Sequence, residues 1–269
     1  MTPVERSLLD RILWKAREAA FPDGDFVGQE SFATASEIRE LGQAAGLGEG
    51  VSVLDLCCGV AGPGLMLVRE LGCDYLGIDA ELDVVERARR RAAESGLRAR
   101  FDVARVPPLP PGSFDVVLLL ETLLAFRDRP MLFGEVVSVL QPGGRFAFTV
   151  EVGAPLTTTE RATMPRADSV WLSSLAETQG DLEGAGLQVR WLVECTDAHR
   201  VAASALLGFY LAAAPDIREA GGGDVLDHLV SSHGLWRRWL RDGRVRKFMV
   251  VSEKVSSSGA VSVSASPRP

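Results

Sequence analysis

A glycine-rich turn directly after a short apolar run has the clearest chemical capacity in the sequence. Asp55 lies in the apolar run 53–56, and Cys57, Gly59 and Gly62 follow it. Because glycine lacks a Cβ and adopts positive φ, its backbone can approach a ligand closely. A carboxylate beside such a turn can accept hydrogen bonds from a cationic or hydroxylated ligand. The pattern predicts a ligand-binding turn between a strand and a helix.

A second carboxylate, Asp79, lies 20 positions after Gly59 and ends the next apolar run. An acidic side chain one strand–helix–strand step beyond the turn can bind both hydroxyls of a ribose. The dinucleotide fingerprint G-x-G-x-x-G is absent, since the glycines are Gly59, Gly62 and Gly64. Asp55 before the turn would repel phosphates, whereas S-adenosylmethionine carries an ammonium and a sulfonium and no phosphate. The residues therefore favour S-adenosylmethionine over a nicotinamide dinucleotide.

The elements that position these carboxylates alternate between short apolar runs and helical periodicity, which predicts strand–helix–strand units and a parallel sheet. We expect strands at about 51–56, 74–79, 98–103, 114–120, 144–151, 187–195 and 244–254. We expect helices near 3–20, 31–45, 62–71, 81–95, 129–140 and 171–185.

The chain divides into three predicted parts. Residues 1–46 form an N-terminal helical segment, and residues 47–254 form the main domain with a helical cap inserted at about 196–242. The tail, 255–269, is rich in serine, alanine, glycine and proline, and we expect it to be disordered because it offers little surface to bury.

Four ordered motifs resemble those of the class I S-adenosylmethionine-dependent methyltransferases. They are the run and turn 53–62, Leu-Gly-Ile-Asp at 76–79, Pro-Pro-Gly-Ser-Phe-Asp at 110–115 and Leu-Gln-Pro-Gly-Gly-Arg-Phe at 140–146. The resemblance implies an α/β fold with a Rossmann-like seven-stranded sheet, its last strand antiparallel, helices on both faces and a helical cap. The chain looks like the small-molecule branch that contains sarcosine/dimethylglycine and natural-product sugar methyltransferases.

The resemblance also assigns roles to residues. Asp55 and Gly59, in one turn with Cys57 and Gly62, would contact the methionine portion of the cofactor, and Asp79 would bind the ribose.

Ala80 would lie beside the adenosine. An acidic residue at the end of the third strand often binds the adenine amine in this family, and Asp102 is the candidate. Since Asp102 precedes Asp115 by 13 positions, one more than the usual family spacing, Val103 is the alternative at that site.

Two residues are candidates for catalysis. Glu121 follows the fourth predicted strand, where family members line the reaction centre, and it would also contact the cofactor; it could equally cap a helix. His199, like His228 and His233, lies in the cap and could be a general base or a polar surface residue. No metal site is expected, because the four cysteines lack the spacing of paired ligands.

The acceptor is expected beneath the cap. Helix 201–214 is almost entirely apolar or small, and with nearby aromatic residues it could form the roof of an apolar pocket or simply pack as core. Residues 151–166 would supply an acceptor-binding loop, and residues 29–31 would close the cofactor side. The aromatic residues are Trp171, Phe209, Tyr210, Trp236 and Trp239.

Composition excludes several classes of function. The net charge of −7 and pI near 5.2 argue against binding to nucleic acid. No run reaches the roughly 18–20 apolar residues that span a bilayer, and the N-terminus lacks an uninterrupted apolar core, so we expect a cytoplasmic protein that does not enter membranes.

The sequence thus predicts a methyltransferase that transfers the sulfonium methyl group to an O, N or C nucleophile of a small molecule, a metabolite or natural-product intermediate. Two alternatives stay open: a cyclase or rearrangement enzyme of secondary metabolism on the same fold, and a non-catalytic protein that binds S-adenosylmethionine. The sequence does not define the oligomeric state.

Overall fold

Seven strands form one sheet in the order β3-β2-β1-β4-β5-β7-β6, with β7 antiparallel to both of its neighbours. This computed structural model describes residues 7–164 and 166–255. The strands are β1 Ser52–Leu56, β2 Asp74–Asp79, β3 Arg100–Val103, β4 Phe114–Leu119, β5 Leu140–Val152, β6 Leu187–Glu194 and β7 Arg246–Lys254. The predicted fold class is confirmed, including the antiparallel last strand.

Ten α-helices lie within the described part of the chain. They are α1 Leu8–Ala19, α2 Ala35–Ala44, α3 Gly62–Leu71, α4 Leu82–Glu94, α5 Arg129–Val139, α6 Thr158–Thr163, α7 Leu175–Gly184, α8 Thr196–Ala212, α9 Ala214–Glu219 and α10 Gly223–Arg241. Short 3₁₀ helices occupy Leu123–Ala125 and Ala167–Ser169. Of the first predicted helix, residues 3–6 lie outside the described residues, as does the predicted disordered tail apart from Val255.

Helices cover both faces of the sheet, as expected for buried parallel strands. On one face, α2, α3 and α4 pack their apolar side chains on alternate residues of the central strands, among them Val53 and Val116. On the other face, α5 and α7 pack on the intervening residues, among them Leu54 and Val117. The site-bearing strand ends are thereby fixed by two separate apolar layers.

The cap has its own core. Helices α8, α9 and α10, which lie between β6 and β7, pack with α1 around Leu206, Tyr210, Ile217 and Leu226. The predicted N-terminal helical segment is therefore divided between two parts of the fold, because α1 packs on the cap whereas α2 packs on the sheet. No helix among the described residues combines the length and apolarity needed to cross a bilayer.

Three predicted boundaries were wrong by four residues. The helix expected at 31–45 begins only at Ala35, because Thr34 caps it in a reciprocal pair of hydrogen bonds with Glu37. β5 begins at Leu140 instead of 144, because the turn at Gly143, with φ of 73°, forms a bulge within the strand. The pairing with β4 shifts there, from Phe114 opposite Leu140 to Val116 opposite Arg145.

The predicted helix 171–185 begins only at Leu175. Ser174 caps it in a reciprocal pair of hydrogen bonds with Glu177, so the preceding residues stay extended.

Candidate active site

A cleft of about 240 Å³ opens at the carboxyl ends of β1 and β4. Its walls are the turn 57–63, the segment 28–31 and residues 120–122, with Asp55 at the base. β1 lies between β2 and β4 in the sheet, so the ends of three neighbouring parallel strands meet here. This edge of an open α/β sheet is where such folds bind ligands.

Asp79 holds the turn in shape. One carboxylate oxygen accepts the Gly59 N–H at 3.0 Å, and the other accepts the Glu81 N–H at 3.1 Å. Within the turn Cys57, Gly59 and Ala61 all have φ near +55°. Because a carboxylate offers about four lone-pair directions, Asp79 keeps acceptor capacity for further donors.

Asp55 is buried and hydrogen-bonded by a residue that sequence reasoning missed. The Tyr75 hydroxyl of β2 donates to its carboxylate at 2.5 Å. Burial raises the pKa of Asp55 to about 7, against the effect of this hydrogen bond and with help from the charge of Asp79. A cation placed beside Asp55 would favour its ionised form.

Gly64 makes the contact between Tyr75 and Asp55 possible. A Cβ at position 64 would lie 2.1 Å from the Tyr75 hydroxyl oxygen, closer than any real contact. The third glycine of the turn is therefore required for the close approach of helix α3 to β2.

Glu121 projects from a strained backbone at the cleft wall. Its φ is 62°, a conformation uncommon for a residue with a Cβ, and the Thr149 hydroxyl accepts its N–H at 2.6 Å. Its carboxylate lies 2.6 Å from Lys247 Nζ. Burial alone would raise the pKa of Glu121, but the Lys247 ammonium and, more weakly, His199 lower it below its usual value. Glu121 is therefore an anion at neutral pH.

Lys247 was not recognised from the sequence. It is fully buried near the start of β7, and its ammonium also lies 2.7 Å from the Glu151 carboxylate. Burial alone would lower the pKa of Lys247, but the two glutamates outweigh burial and raise the pKa above its usual value. The sequence signal for Lys247 was a single lysine beside the apolar run 248–251 of β7. A charged side chain next to a buried apolar run needs a buried partner.

The N-terminal wall of the cleft is tied to the sheet domain. Gln29, itself buried, donates from its side chain to the carbonyls of Asp25 and Ala33 and accepts the Val27 N–H. The Arg91 guanidinium of α4 donates to the Val27 carbonyl at 2.7 Å. The predicted position of residues 29–31 beside the cleft agrees with this arrangement.

The two candidates for the adenine site are separated by the pleat of β3. Val103 pairs in register with Asp79 at the strand end. Both residues are exposed, and Asp102 lies 3.9 Å from Arg89 and borders a different surface hollow. Neither Asp102 nor Val103 lines the cleft, and Asp79 and Ala80 also lie outside its lining. Ala80, partly exposed, directly follows Asp79.

The cap histidines do not border the cleft. His199 is 1% exposed and packs edge-to-face on Phe32, with Glu37 beside it. His233 also packs on Phe32, and its Nδ1 lies 2.8 Å from the Leu229 carbonyl oxygen. His228 is exposed on α10.

The predicted aromatic roof is not formed over the cleft. Tyr210 is buried in the cap core, Phe209 is 40% exposed, and Trp236 packs on Trp239 away from the cleft. Trp171 contacts two arginine guanidinium groups instead. These side chains are used to pack the cap helices on each other and on neighbouring segments. Residues 151–164 likewise lie outside the cleft lining.

The cysteines of the turn fit the packing interpretation. Burial raises the pKa of Cys57 to about 12, and burial also raises the pKa of Cys58. Both thiols are protonated at neutral pH and are not nucleophiles.

Comparison with known proteins agrees with this geometry. Residues 53–144 match the model of a methyltransferase domain family. Methyltransferase GfsG of Streptomyces halstedii is 28% identical over 75% of this chain and 76% of the relative. The chain spans only about a third of the length of the plant phosphoethanolamine N-methyltransferases that it also matches.

Two solved structures share the fold. A protein from Galdieria sulphuraria assigned as a sarcosine dimethylglycine methyltransferase superposes with a TM-score of 0.73 at 17% identity, over 82% of this chain and 84% of that one. Phosphoethanolamine N-methyltransferase 2 of Haemonchus contortus, in complex with S-adenosyl-L-methionine, superposes with a TM-score of 0.75 at 17% identity. The superposition covers 95% of this chain and 62% of that one. The domain match and the named relatives support an S-adenosylmethionine-dependent methyltransferase with S-adenosylmethionine as its cofactor, and the chain is similar to the small-molecule branch of these enzymes.

Proposed function

We propose that the chain methylates a metabolite or natural-product intermediate at an oxygen, nitrogen or carbon nucleophile, within the cleft at the ends of β1 and β4. The observation that carries the proposal is the position of Glu121 and Thr122 in the same cleft as Asp55 and the glycine turn. Residues suited to a cationic cofactor and polar residues that would meet an acceptor thus face one space. Similarity to phosphoethanolamine N-methyltransferases and to a sarcosine dimethylglycine methyltransferase supports the acceptor class.

The cleft fits the cofactor in two respects. A Cβ added at Gly59 would meet no atom within 4 Å, so the backbone of the turn faces open space. Asp55 is a buried carboxylate whose ionisation needs a nearby cation, which the ammonium of the methionine portion provides. Cys57, Gly59 and Gly62 would border the methionine portion.

Asp79 would bind the ribose hydroxyls, with Ala80 beside the adenosine. At the adenine position, the register with Asp79 favours Val103 over Asp102. An apolar contact would then replace the acidic hydrogen-bond partner that is frequent in the family.

When bound, S-adenosylmethionine supplies an electrophilic methyl group on a sulfonium. The chain's own contribution is to orient the acceptor and to exclude water, which removes entropic and solvation costs. Glu121 would accept a hydrogen bond from the acceptor and stabilise positive charge that develops on it. With its pKa lowered, Glu121 is a weak base, so it suits an acceptor that already carries a lone pair, such as a neutral amine.

His199 is not included in this reaction centre, because it does not border the cleft.

The first experiment is calorimetry of S-adenosylmethionine and S-adenosylhomocysteine with the native chain and with Asp79→Asn. We expect the substitution to weaken binding at least tenfold, on the order of 1.4 kcal/mol, through loss of charged hydrogen bonds. Asp74→Asn is the control, since Asp74 is exposed at the opposite end of the same strand. Equal affinities for all three proteins would overturn the assigned site.

The second experiment follows S-adenosylhomocysteine while small amines, phenols and hydroxylated metabolites are supplied as acceptors. Its formation with one methylated acceptor per turnover would establish the proposed activity. Consumption of a substrate without S-adenosylhomocysteine would indicate the cyclase or rearrangement alternative. Binding without turnover of any acceptor would favour the non-catalytic alternative.

A further inference from the structure

A buried group of three potential metal ligands lies behind the cleft wall, outside the site described above. Glu37 comes from α2, Cys195 precedes the first turn of α8, and His199 lies in that turn. Cys195 and His199 are 8% and 1% exposed. One carboxylate oxygen, the thiol sulfur and an imidazole nitrogen all lie within 4.8 Å of one another.

The spacing of these atoms is better suited to a shared ion than to a direct hydrogen bond. His199 Nε2 lies 3.5 Å from Glu37 Oε2, beyond the usual hydrogen-bond range. Nitrogen, oxygen and sulfur ligands around a tetrahedral zinc ion lie roughly 3.3–3.8 Å apart, given bonds of about 2.0–2.3 Å. The ligating atoms would move closer to one another by at most about 1.5 Å on binding.

Glu37 is oriented as a ligand and is incompletely bonded. Its Oε2 atom accepts hydrogen bonds from the backbone N–H and the hydroxyl of Thr34, at 2.8 and 3.1 Å. Hydrogen bonds of this kind fix the ligating groups at metal sites. Its Oε1 atom is buried and has no hydrogen-bond partner among the described residues. A buried acceptor without a partner is costly, so an ion there would relieve that cost.

The charge around the group also favours a cation. Three buried or nearly buried carboxylates, Glu37, Glu121 and Glu151, lie within electrostatic reach of Cys195 together with one ammonium, that of Lys247. In formal charges, three carboxylates face one ammonium in this region. Uncompensated buried charge is strongly destabilising, and a dication would balance it.

We propose that Glu37, Cys195 and His199 bind one divalent transition-metal ion, with the fourth coordination position open to water. Borderline-soft zinc fits a donor set of one thiolate, one imidazole and one carboxylate, with the thiol proton released on binding. The ion would join the beginning of the cap helix α8 to α2 and thereby hold the cap on the sheet domain.

Equilibrium dialysis of the full chain against Zn²⁺, followed by elemental analysis, tests the stoichiometry. We expect one Zn²⁺ per native chain. Cys195→Ser and His199→Ala should each bind Zn²⁺ with less than a tenth of the affinity of the native chain. Cys73→Ser is the matched control, because Cys73 is an equally buried free cysteine outside the group. Circular dichroism of each variant verifies that it is folded.

Titration with Co²⁺ gives an independent readout that does not depend on methyl transfer. The native chain and Cys73→Ser should develop a sulfur-to-cobalt charge-transfer band, whereas Cys195→Ser should not. A folded native chain that binds no stoichiometric metal would overturn the proposal, and so would binding that survives both Cys195→Ser and His199→Ala. A chelator should lower the thermal unfolding temperature of the native chain and leave that of Cys195→Ser unchanged.

Discussion

Asp55 combines two demands that conflict in the absence of a ligand. Its site is dry enough to raise its pKa from 3.8 to about 7, yet the proposed cofactor contact requires a carboxylate. Between these values the unfolded chain loses the proton while the native chain keeps it. Protonated Asp55 therefore contributes to the free energy of unfolding at low pH, and this contribution is lost as the pH rises through about 7.

Cofactor binding should show the opposite trend with pH. Since the cationic ammonium favours ionised Asp55, the Kd for S-adenosylmethionine should rise by up to about tenfold per pH unit as the pH falls from about 7 to 5. Calorimetry across this range measures the slope, and Asp55→Asn should bind more weakly with a much flatter profile. Equal slopes for the two proteins would show that another group controls binding.

At the scale of elements, the contact of helix α3 with strand β2 determines the shape of the cleft floor. Gly64→Ala should displace the Tyr75 hydroxyl, which lies 2.1 Å from the added Cβ, and break its hydrogen bond to Asp55. We expect a loss of about 1–3 kcal/mol in the free energy of unfolding, measured in urea, and weaker binding of S-adenosylhomocysteine.

Gly134→Ala is the matched control for Gly64→Ala. Gly134 is an exposed residue of α5 where a Cβ would meet nothing within 4 Å, so alanine should stabilise the helix by up to about 1 kcal/mol. Equal effects of the two substitutions would contradict a special role for the α3–β2 contact.

Elements and their order were predictable because apolar runs and glycine turns are local signals. The turn after β1 and Asp79 at the end of β2 follow from such signals and lie where expected. Lys247, Tyr75 and the position of Asp102 were not predicted, because each depends on which residue of a neighbouring strand lies opposite. Register and strand pleat, and not residue type, decide those contacts.

The group of Glu37, Cys195 and His199 shows the same limit more strongly. The cysteine and the histidine are four positions apart, but Glu37 is more than 150 residues away. No ligand spacing within the sequence indicates that the cap helix α8 returns to α2. The expectation of no metal site rested on cysteine spacing alone, and the proposed site uses only one cysteine.

At the scale of the whole molecule, Arg17 links the cap to the cleft wall. From α1 its guanidinium donates to the Tyr210 hydroxyl of α8 at 2.9 Å and to the Glu30 carboxylate at 3.0 Å. Glu30 borders the cleft, so we expect movement of the cap to affect the segment that closes the proposed cofactor site. Coupling of this kind requires contacts that both regions share.

Arg17→Gln should loosen this link without touching the glycine turn. We expect faster amide hydrogen exchange in residues 27–31 and a several-fold higher Kd for S-adenosylmethionine, while exchange in β1 stays slow because the sheet core is intact. Lys15→Gln, an exposed change on the same helix, should alter neither quantity. If Arg17→Gln accelerated exchange in α1 alone and left the Kd unchanged, α1 would stabilise the cap without acting on the cleft. The hydrogen bonds instead favour a cleft wall held from two sides. Arg17 lies on α1, which packs on the cap, and Arg91 lies on α4, which packs on the sheet, and both contact residues 27–30.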